Sequence, residues 1–425
     1  RQARPDLPIL AETSGKNVTI VTPNADLDLA VRDIVQSAFG HAGQKCSASS
    51  LVICVGSVAD SPRFNRQLRD AVASLKVGTP DDLRTQVGPV IAPPSGKLLR
   101  GLTTLGEGEW WIQAPAPITD AGPLSRDGDG EVKLWRPGVR GGVKRGSEYH
   151  HVEYFGPILG VMTVDTLEEA IEIVNEIEYG LTSGLQSLDR DEIAFWLDRV
   201  EAGNLYVNRG ITGAIVRRQS FGGWKKSAIG PGTKAGGPNY LHAFGEWSDA
   251  PAAAGAPRPV AAPLLAEAER LGLDADAVAW LSEAMASDAR AWDDEFGIAR
   301  DASQLGVERN LLRYRPETVT IRVAADAEPH HVLRALAAAL AAEATPVGST
   351  AVPLPGEAAR IVQERGATVV VEDDAAWADR VRNLAALEGP DAGVRIRVVA
   401  GASRADVLAG ITEASGGKPD IAVYG

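Results

Sequence analysis

The 425 residues hold two cysteines in unlike surroundings. Cys46 stands in Gly43-Gln44-Lys45-Cys46-Ser47-Ala48, after one helix-periodic segment ends and before a strand-like run begins. A loop there leaves the thiol within reach, and nearby backbone N–H groups favour a thiolate and any oxyanion formed beside it. This is a setting for a nucleophile; the competing reading is a small buried hydrophobe. Cys54, inside Leu51-Val52-Ile53-Cys54-Val55, reads as core. Glu12 interrupts an apolar run and is followed by Thr13-Ser14-Gly15-Lys16-Asn17. A carboxylate at the end of a buried strand would be desolvated and its pKa raised toward the range of a general base; the alternative is a solvated strand-end carboxylate. Glu12 and Cys46 are 34 residues apart, enough for one strand–helix crossover that returns both to one sheet edge. In open α/β sheets ligands bind at the carboxyl edge, where this pair is therefore expected.

The elements that must position these residues follow from apolar spacing. Residues 7–21 predict a strand holding Leu7, Ile9 and Leu10, a polar turn, and a second strand holding Val18, Ile20 and Val21. Residues 26–39 carry apolar groups at helical spacing, with Asn24 or Asp26 as N-cap and Gly40 as the stop. The unbroken apolar run 51–55 suits a strand buried on both faces of a parallel sheet. A second unit has a strand at 157–164 and a helix opened by the capping box Thr166 to Glu169 and closed by Gly180. A third runs from Asp189 through a helix at 193–200 to a strand at 204–208. Residues 92–150, rich in Gly, Pro and Trp, predict long loop or irregular β-structure. Residues 249–263 are Ala/Pro-rich and nearly uncharged, a semi-rigid linker. Beyond them come an Ala-rich helical stretch at 264–300, a strand at 319–323, a helix at 331–342, strands near 368–371 and 394–399, and a tail, DIAVYG, that reads as a last strand. The fold class is α/β.

Composition narrows the function. A formal charge of −13 argues against nucleic acid as the main partner. The acidic excess is concentrated beyond residue 249. No apolar run approaches the roughly 18 residues that cross a bilayer, so no integral membrane segment is expected. Two cysteines allow no disulfide framework and no zinc cage; no metal is expected, and a reducing cytoplasm fits.

Four motifs in register carry a family resemblance: A-E-T-S-G-K-N at 11–17, G-Q-K-C-S-A at 43–48, E-Y-F-G-P at 153–157 and F-G-G-W-K-K-S at 221–227. Together they resemble the aldehyde dehydrogenase superfamily. R-G-I-T-G-A-I-V-R-R-Q at 209–219 and P-G-T-K-A-G-G-P-N-Y-L at 231–241 are similar, more narrowly, to the Δ1-pyrroline-5-carboxylate (L-glutamate γ-semialdehyde) dehydrogenase module of the bifunctional proline utilization flavoenzymes.

The resemblance implies an aldehyde dehydrogenase-like catalytic domain at 1–248, the linker at 249–263, and a second, Rossmann-like α/β domain at 264–425 without catalytic residues. It implies Cys46 as the nucleophile and Glu12 as the base that activates water against a thioester. Glu153 would bond the nicotinamide ribose of NAD, with Phe155 beside it. Ser47 and the backbone N–H groups of Gly213 and Ala214 would hold the carboxylate of the small-molecule substrate, and Phe221 its methylenes. Apart from the motif, all six read as ordinary strand-end, loop and turn packing. Arg217 and Arg218 are surface residues or an aid by charge. Ser14 stands where the family has glycine. The family's dinucleotide-binding half has no counterpart before residue 12, so the chain reads as a C-terminal fragment that turns over poorly alone; FAD would enter only with an upstream proline dehydrogenase domain. The full-length protein is expected to be a homo-oligomer. Rival readings are a catalytically incompetent scaffold or oligomerisation element, and a dehydrogenase of another carboxylated semialdehyde.

Overall fold

The computed structural model describes residues 9–230, 233–246, 248, 255–387, 394–418 and 421–424. Leu7 of the first apolar run, Pro231 and Gly232 of the narrower motif, the 249–254 half of the linker, and Asp420 and Gly425 of the tail lie outside the described residues. The chain divides into two compact units, one of Ala11–Ile215 with Ser220–Ala228, the other of Val216–Gln219 with the chain from Ile229 onward and the first ten residues.

The first unit is a seven-stranded sheet between two layers of helices. Its strands are β1 (Asn17–Val21), β2 (Ser49–Val55), β3 (Trp110–Gln113), β4 (Gly138–Gly141), β5 (Ile158–Val164), β6 (Thr182–Gln186) and β7 (Asn204–Val207). They lie in the order β7-β6-β1-β2-β5-β4-β3, and all neighbours are parallel except β3 and β4. Residues alternate between two cores. Val18, Ile20, Leu51 and Ile53 pack with helices α4 (Leu167–Asn175) and α5 (Arg190–Arg199). Val21, Val52 and Cys54 pack with α1 (Leu27–Phe39) and α2 (Pro62–Ala73). Both faces are covered, which is why these strands read as continuous apolar runs. Ile34 is fully buried, and its truncation to Ala would cost about 2–5 kcal/mol.

Local signals set the element ends. Asp26, not Asn24, caps α1, accepting the N–H groups of Asp28 and Leu29, and Gly40 closes it. Thr166 and Glu169 form the expected box: Thr166 Oγ1 accepts the Glu169 N–H and Glu169 Oε2 that of Asp165. The helix stops at Asn175, short of Gly180, which instead lies in a two-residue strand beside Trp224. A Cβ on Gly180 would lie 2.7 Å from the Glu201 carbonyl oxygen, so close approach rather than helix termination calls for glycine there. Ile9 and Leu10 form no strand, and only Ala11–Glu12 precede the turn as one. Within 92–150, expected to be irregular, the chain builds α3 (Gly96–Thr103) and the sheet strands β3 and β4. Those strands are four residues long, and Gly141 is needed because a Cβ there would meet the Trp110 ring at 2.7 Å, so neither shows apolar alternation.

The second unit holds a five-stranded, wholly parallel sheet: β8 (Val319–Val323), β9 (Pro346–Thr350), β10 (Thr368–Val371), β11 (Val394–Val399) and β12 (Ile421–Tyr424), in the order β10-β9-β8-β11-β12. Helices α6 (Ala262–Arg270), α7 (Ala275–Ala291) and α8 (Pro329–Ala341) pack on one core, and α10 (Asp374–Ala386), which follows the short α9 (Ala358–Gln363), packs with α11 (Arg404–Ala414) on another. The end of the expected linker belongs to this packing, since Ala261 is buried and α6 starts at Ala262.

Candidate active site

The crossover β1–α1–β2 does bring Glu12 and Cys46 to one sheet edge, but to the opposite one from that expected. Each residue precedes its strand, so in a parallel sheet both stand at the amino edge. Glu153 and Phe155, which precede β5, stand there too.

Cys46 sits in a turn and is half-buried. The chain reaches it through His41, Ala42 and Gly43, all with left-handed φ. Gly43 is required, because a Cβ there would lie 2.1 Å from the Gly156 carbonyl oxygen. Asn17, 2% exposed, fastens the turn: its Nδ2 donates to the carbonyl oxygens of Cys46 (2.7 Å) and Ala48 (2.9 Å), and its Oδ1 accepts the Thr182 N–H (3.0 Å). Gly15 passes so close that a Cβ would lie 2.7 Å from the Cys46 carbonyl oxygen. Gln44 ties in the neighbouring segments, donating to Phe155 O (3.2 Å) and accepting the Ile91 N–H (2.7 Å). Sequence reasoning missed Asn17 and Gln44; their adjacency to the Glu12 and Cys46 motifs was the available signal.

Burial pushes the Cys46 thiol above its ordinary range. The Ser47 N–H and the Lys45 charge pull the other way, and Glu153 adds to the rise. The backbone help expected for the thiolate is therefore present and outweighed. Burial also raises Glu153, against the Gly15 N–H, Lys97 and the Ser14 hydroxyl. Its Oε1 accepts the Gly15 N–H at 3.3 Å. Phe155 is half-buried with φ 55°. Glu12 is exposed, the solvated strand-end carboxylate of the two readings rather than the desolvated one; its strand is only two residues long and Leu10 is 42% exposed. Its Oε2 accepts the Gly223 N–H at 3.1 Å. Cys54 is core, its thiol pushed up to about 12 by burial.

Ser47 is buried, and its carbonyl oxygen accepts the Thr182 hydroxyl at 3.4 Å. Phe221 is bracketed by Asn204, which donates to Ser220 O (2.9 Å) and accepts the Gly222 N–H (3.1 Å) at the start of β7, again the amino edge. Gly213 (φ 82°, exposed) and Ala214 (half-buried) lie on the loop that leaves the far end of β7. Arg217 and Arg218 are exposed, and Arg218 pairs with Glu308 at 3.9 Å.

Lys16 was not anticipated. It is 3% exposed, its Nζ lies 4.1 Å from the Tyr149 ring centroid with no hydrogen-bond partner among the described residues, and burial lowers its pKa to about 7. Arg140, in a buried pair with Glu109, covers the same ring at 4.4 Å.

A half-buried thiol, two carboxylates and close backbone donors can support covalent acyl chemistry. A family model described as "Aldehyde dehydrogenase family" matches residues 2–249. A curated "1-pyrroline-5-carboxylate dehydrogenase" of Bacillus subtilis is 37% identical over 239 residues, 55% of this chain and 43% of that protein. One of the same name from Geobacillus sp. is 38% identical over 236 residues, with the same coverage. The chain thus matches less than half the length of these relatives. The solved structure of Proline Utilization A (PutA) from Corynebacterium freiburgense superposes with a TM-score of 0.72 at 41% identity, over 88% of this chain and 38% of that one.

Proposed function

This chain belongs to the aldehyde dehydrogenase family, and on that premise we propose that the intact protein oxidises L-glutamate γ-semialdehyde to L-glutamate with NAD. The substrate is taken from the names of its relatives, 1-pyrroline-5-carboxylate dehydrogenase and Proline Utilization A. The observation that carries the reading is the meeting, at one sheet edge, of the half-buried Cys46 thiol with the loops of Glu12, Glu153 and Phe221.

Cys46 Sγ, as the thiolate left when its proton passes to solvent, adds to the aldehyde carbon. The N–H groups of Cys46 and Ser47, which already face the sulfur, lie where the new oxyanion forms. NAD, when bound, accepts the hydride. A carboxylate accepts up to about four hydrogen bonds; Glu153 takes the Gly15 N–H and the Ser14 hydroxyl and so retains capacity for a ribose diol. Glu153 and Phe155 would hold the nicotinamide end. The acyl group stays on Cys46 as a thioester, and Glu12, solvated and fixed by the Gly223 N–H, takes the proton of the hydrolysing water. The loop of Gly213 and Ala214 turns back from the far end of β7 along α1, where the Ile211 N–H reaches Ser37 near the helix end that leads to Cys46; on this reading Gly213, Ala214 and Ser47 bind the substrate carboxylate, and Phe221 covers its methylenes.

Residues 1–248 would form the catalytic domain, 249–263 the linker, and 264–425 a Rossmann-like domain without catalytic residues. FAD belongs to the protein only if a proline dehydrogenase domain is joined to it. A cytoplasmic, homo-oligomeric enzyme fits this reading; among the described residues no helix is long and apolar enough to cross a membrane. The test is NADH absorbance with Δ1-pyrroline-5-carboxylate and the intact protein. Production of NADH that disappears in Cys46→Ala supports the proposal, and NADH production that survives the substitution contradicts it.

A further inference from the structure

The loop Asn208–Ala214 carries the proposed carboxylate donors yet has no regular secondary structure of its own, so something else must fix it. The Asn208 N–H bond to Leu185 O (2.9 Å) and four side-chain contacts do so at its start. Asn208 exchanges hydrogen bonds with Ser187, its Nδ2 donating to Ser187 O (2.7 Å) and its Oδ1 accepting the Ser187 N–H (3.0 Å). Gln186 Nε2 reaches Arg209 O at 3.4 Å. Ile211, 1% exposed, fills the slot above Gly184, where a Cβ would lie 2.6 Å from its methyl group. The fourth contact comes from α1: Ser37 Oγ accepts the Ile211 N–H at 3.0 Å and donates its own proton to Asp33 O at 2.6 Å.

Ser37 is 1% exposed, and its single proton is committed within the helix. Its lone pairs can therefore only accept, and they aim at one backbone amide of the loop. Gly210 leaves no slack, since a Cβ there would lie 3.1 Å from Ser37 Oγ. Two residues past Ile211 the chain turns through Gly213 at φ 82°.

Resting on the reading above, we infer that Ser37 is a positioning residue for recognition of the substrate carboxylate: through the Ile211 amide it sets where the Gly213 and Ala214 N–H groups point. It touches no substrate and takes no part in the chemistry at Cys46.

The experiment compares glutamate γ-semialdehyde with butyraldehyde, which lacks the carboxylate, in intact wild-type, Ser37→Ala and Gly210→Ala enzyme. Ser37→Ala strands a buried N–H, and Gly210→Ala places a Cβ 3.1 Å from Ser37 Oγ, pressing the loop and the hydroxyl apart by a few tenths of an ångström without removing the hydroxyl. In each variant the ratio of kcat/KM for the semialdehyde to that for butyraldehyde should fall about tenfold, through KM for the semialdehyde, while kcat for it stays within about twofold. An unchanged ratio in both variants, or equal losses on both aldehydes, overturns the assignment. A wild-type enzyme with no preference for the semialdehyde overturns the function proposed above and this inference with it.

Discussion

The two sheets of this chain treat their edges differently. At the carboxyl edge of the first, between β1 and β6, Glu192 gathers the Thr22 hydroxyl (2.7 Å), the Asn24 amide (3.0 Å) and the Ser187 hydroxyl (2.5 Å). At the same edge of the second, between β8 and β11, Asp326 accepts the Ser403 N–H (2.8 Å) and hydroxyl (2.6 Å) and the Gly401 N–H (3.2 Å). In both, a carboxylate of the protein occupies the place where doubly wound sheets take their ligands. The difference lies at the amino edge. The first unit gathers Cys46, Glu153 and the Asn17 staple there, whereas both cysteines of the chain belong to that unit and the second has none. Architecture alone therefore does not locate a site; the loops entering the strands do.

The comparison breaks most visibly if the first unit's amino edge proves dispensable. Cys46→Ala should lower kcat of the intact enzyme by about 10⁴ or more, read by NADH absorbance, because the chain's other thiol, Cys54, is sealed in the core and cannot form the acyl intermediate. Asn17→Ala removes three hydrogen bonds from a buried turn. It should lower kcat about 10²-fold through misplacement of the sulfur and cost about 2–4 kcal/mol in urea unfolding.

Lys16→Met sharpens the contrast in the opposite direction. The folded pKa of Lys16, about 7, lies below its ordinary 10.5. Between these values the unfolded chain binds the proton and the fold does not, so stability rises with pH through that window and is lost as pH falls toward 7. The Met variant should flatten this slope and be more stable near pH 7 by at least about 1 kcal/mol, measured by denaturant midpoint. The smallest effect is expected at Asp326→Ala in the second unit, with a lower Tm and unchanged kcat. The Ser403 hydroxyl foremost holds the Asp326 carboxyl below its ordinary pKa. Its contribution is therefore present above the usual carboxylate range and lost as pH falls through the lowered value, so the Tm gap from wild type should close in acid.

Much of the first unit was legible because local signals agreed with one another. Unbroken apolar strands, the Asp26 cap, the Gly40 stop and the Thr166 box all pointed to parallel crossovers, and Cys46 fell in the loop between them. The edge was misread even though element order held the answer, since a residue that precedes a parallel strand stands at its amino end. Of the two readings of Glu12 the solvated strand-end carboxylate holds, because an apolar run two residues from a turn need not be covered. Asn17 and Ser37 could not be found by spacing. One is a polar residue inside a strand and the other a serine inside a helix, and their roles appear only through partners 29 to 174 residues away. The strands β3 and β4 escaped notice because their packing is done by Gly and Trp rather than by alternating aliphatic residues.

The proposed nucleophile is the Cys46 sulfur. The most direct test is alkylation of the intact enzyme with iodoacetamide, followed by peptide mass mapping and residual activity. Of this chain's two cysteines Cys46 should be labelled, with NADH formation lost in proportion and a rate that rises with pH to values above the ordinary thiol range because burial raises that thiol, while Cys54 stays unlabelled. Full activity after quantitative labelling of Cys46 would contradict it.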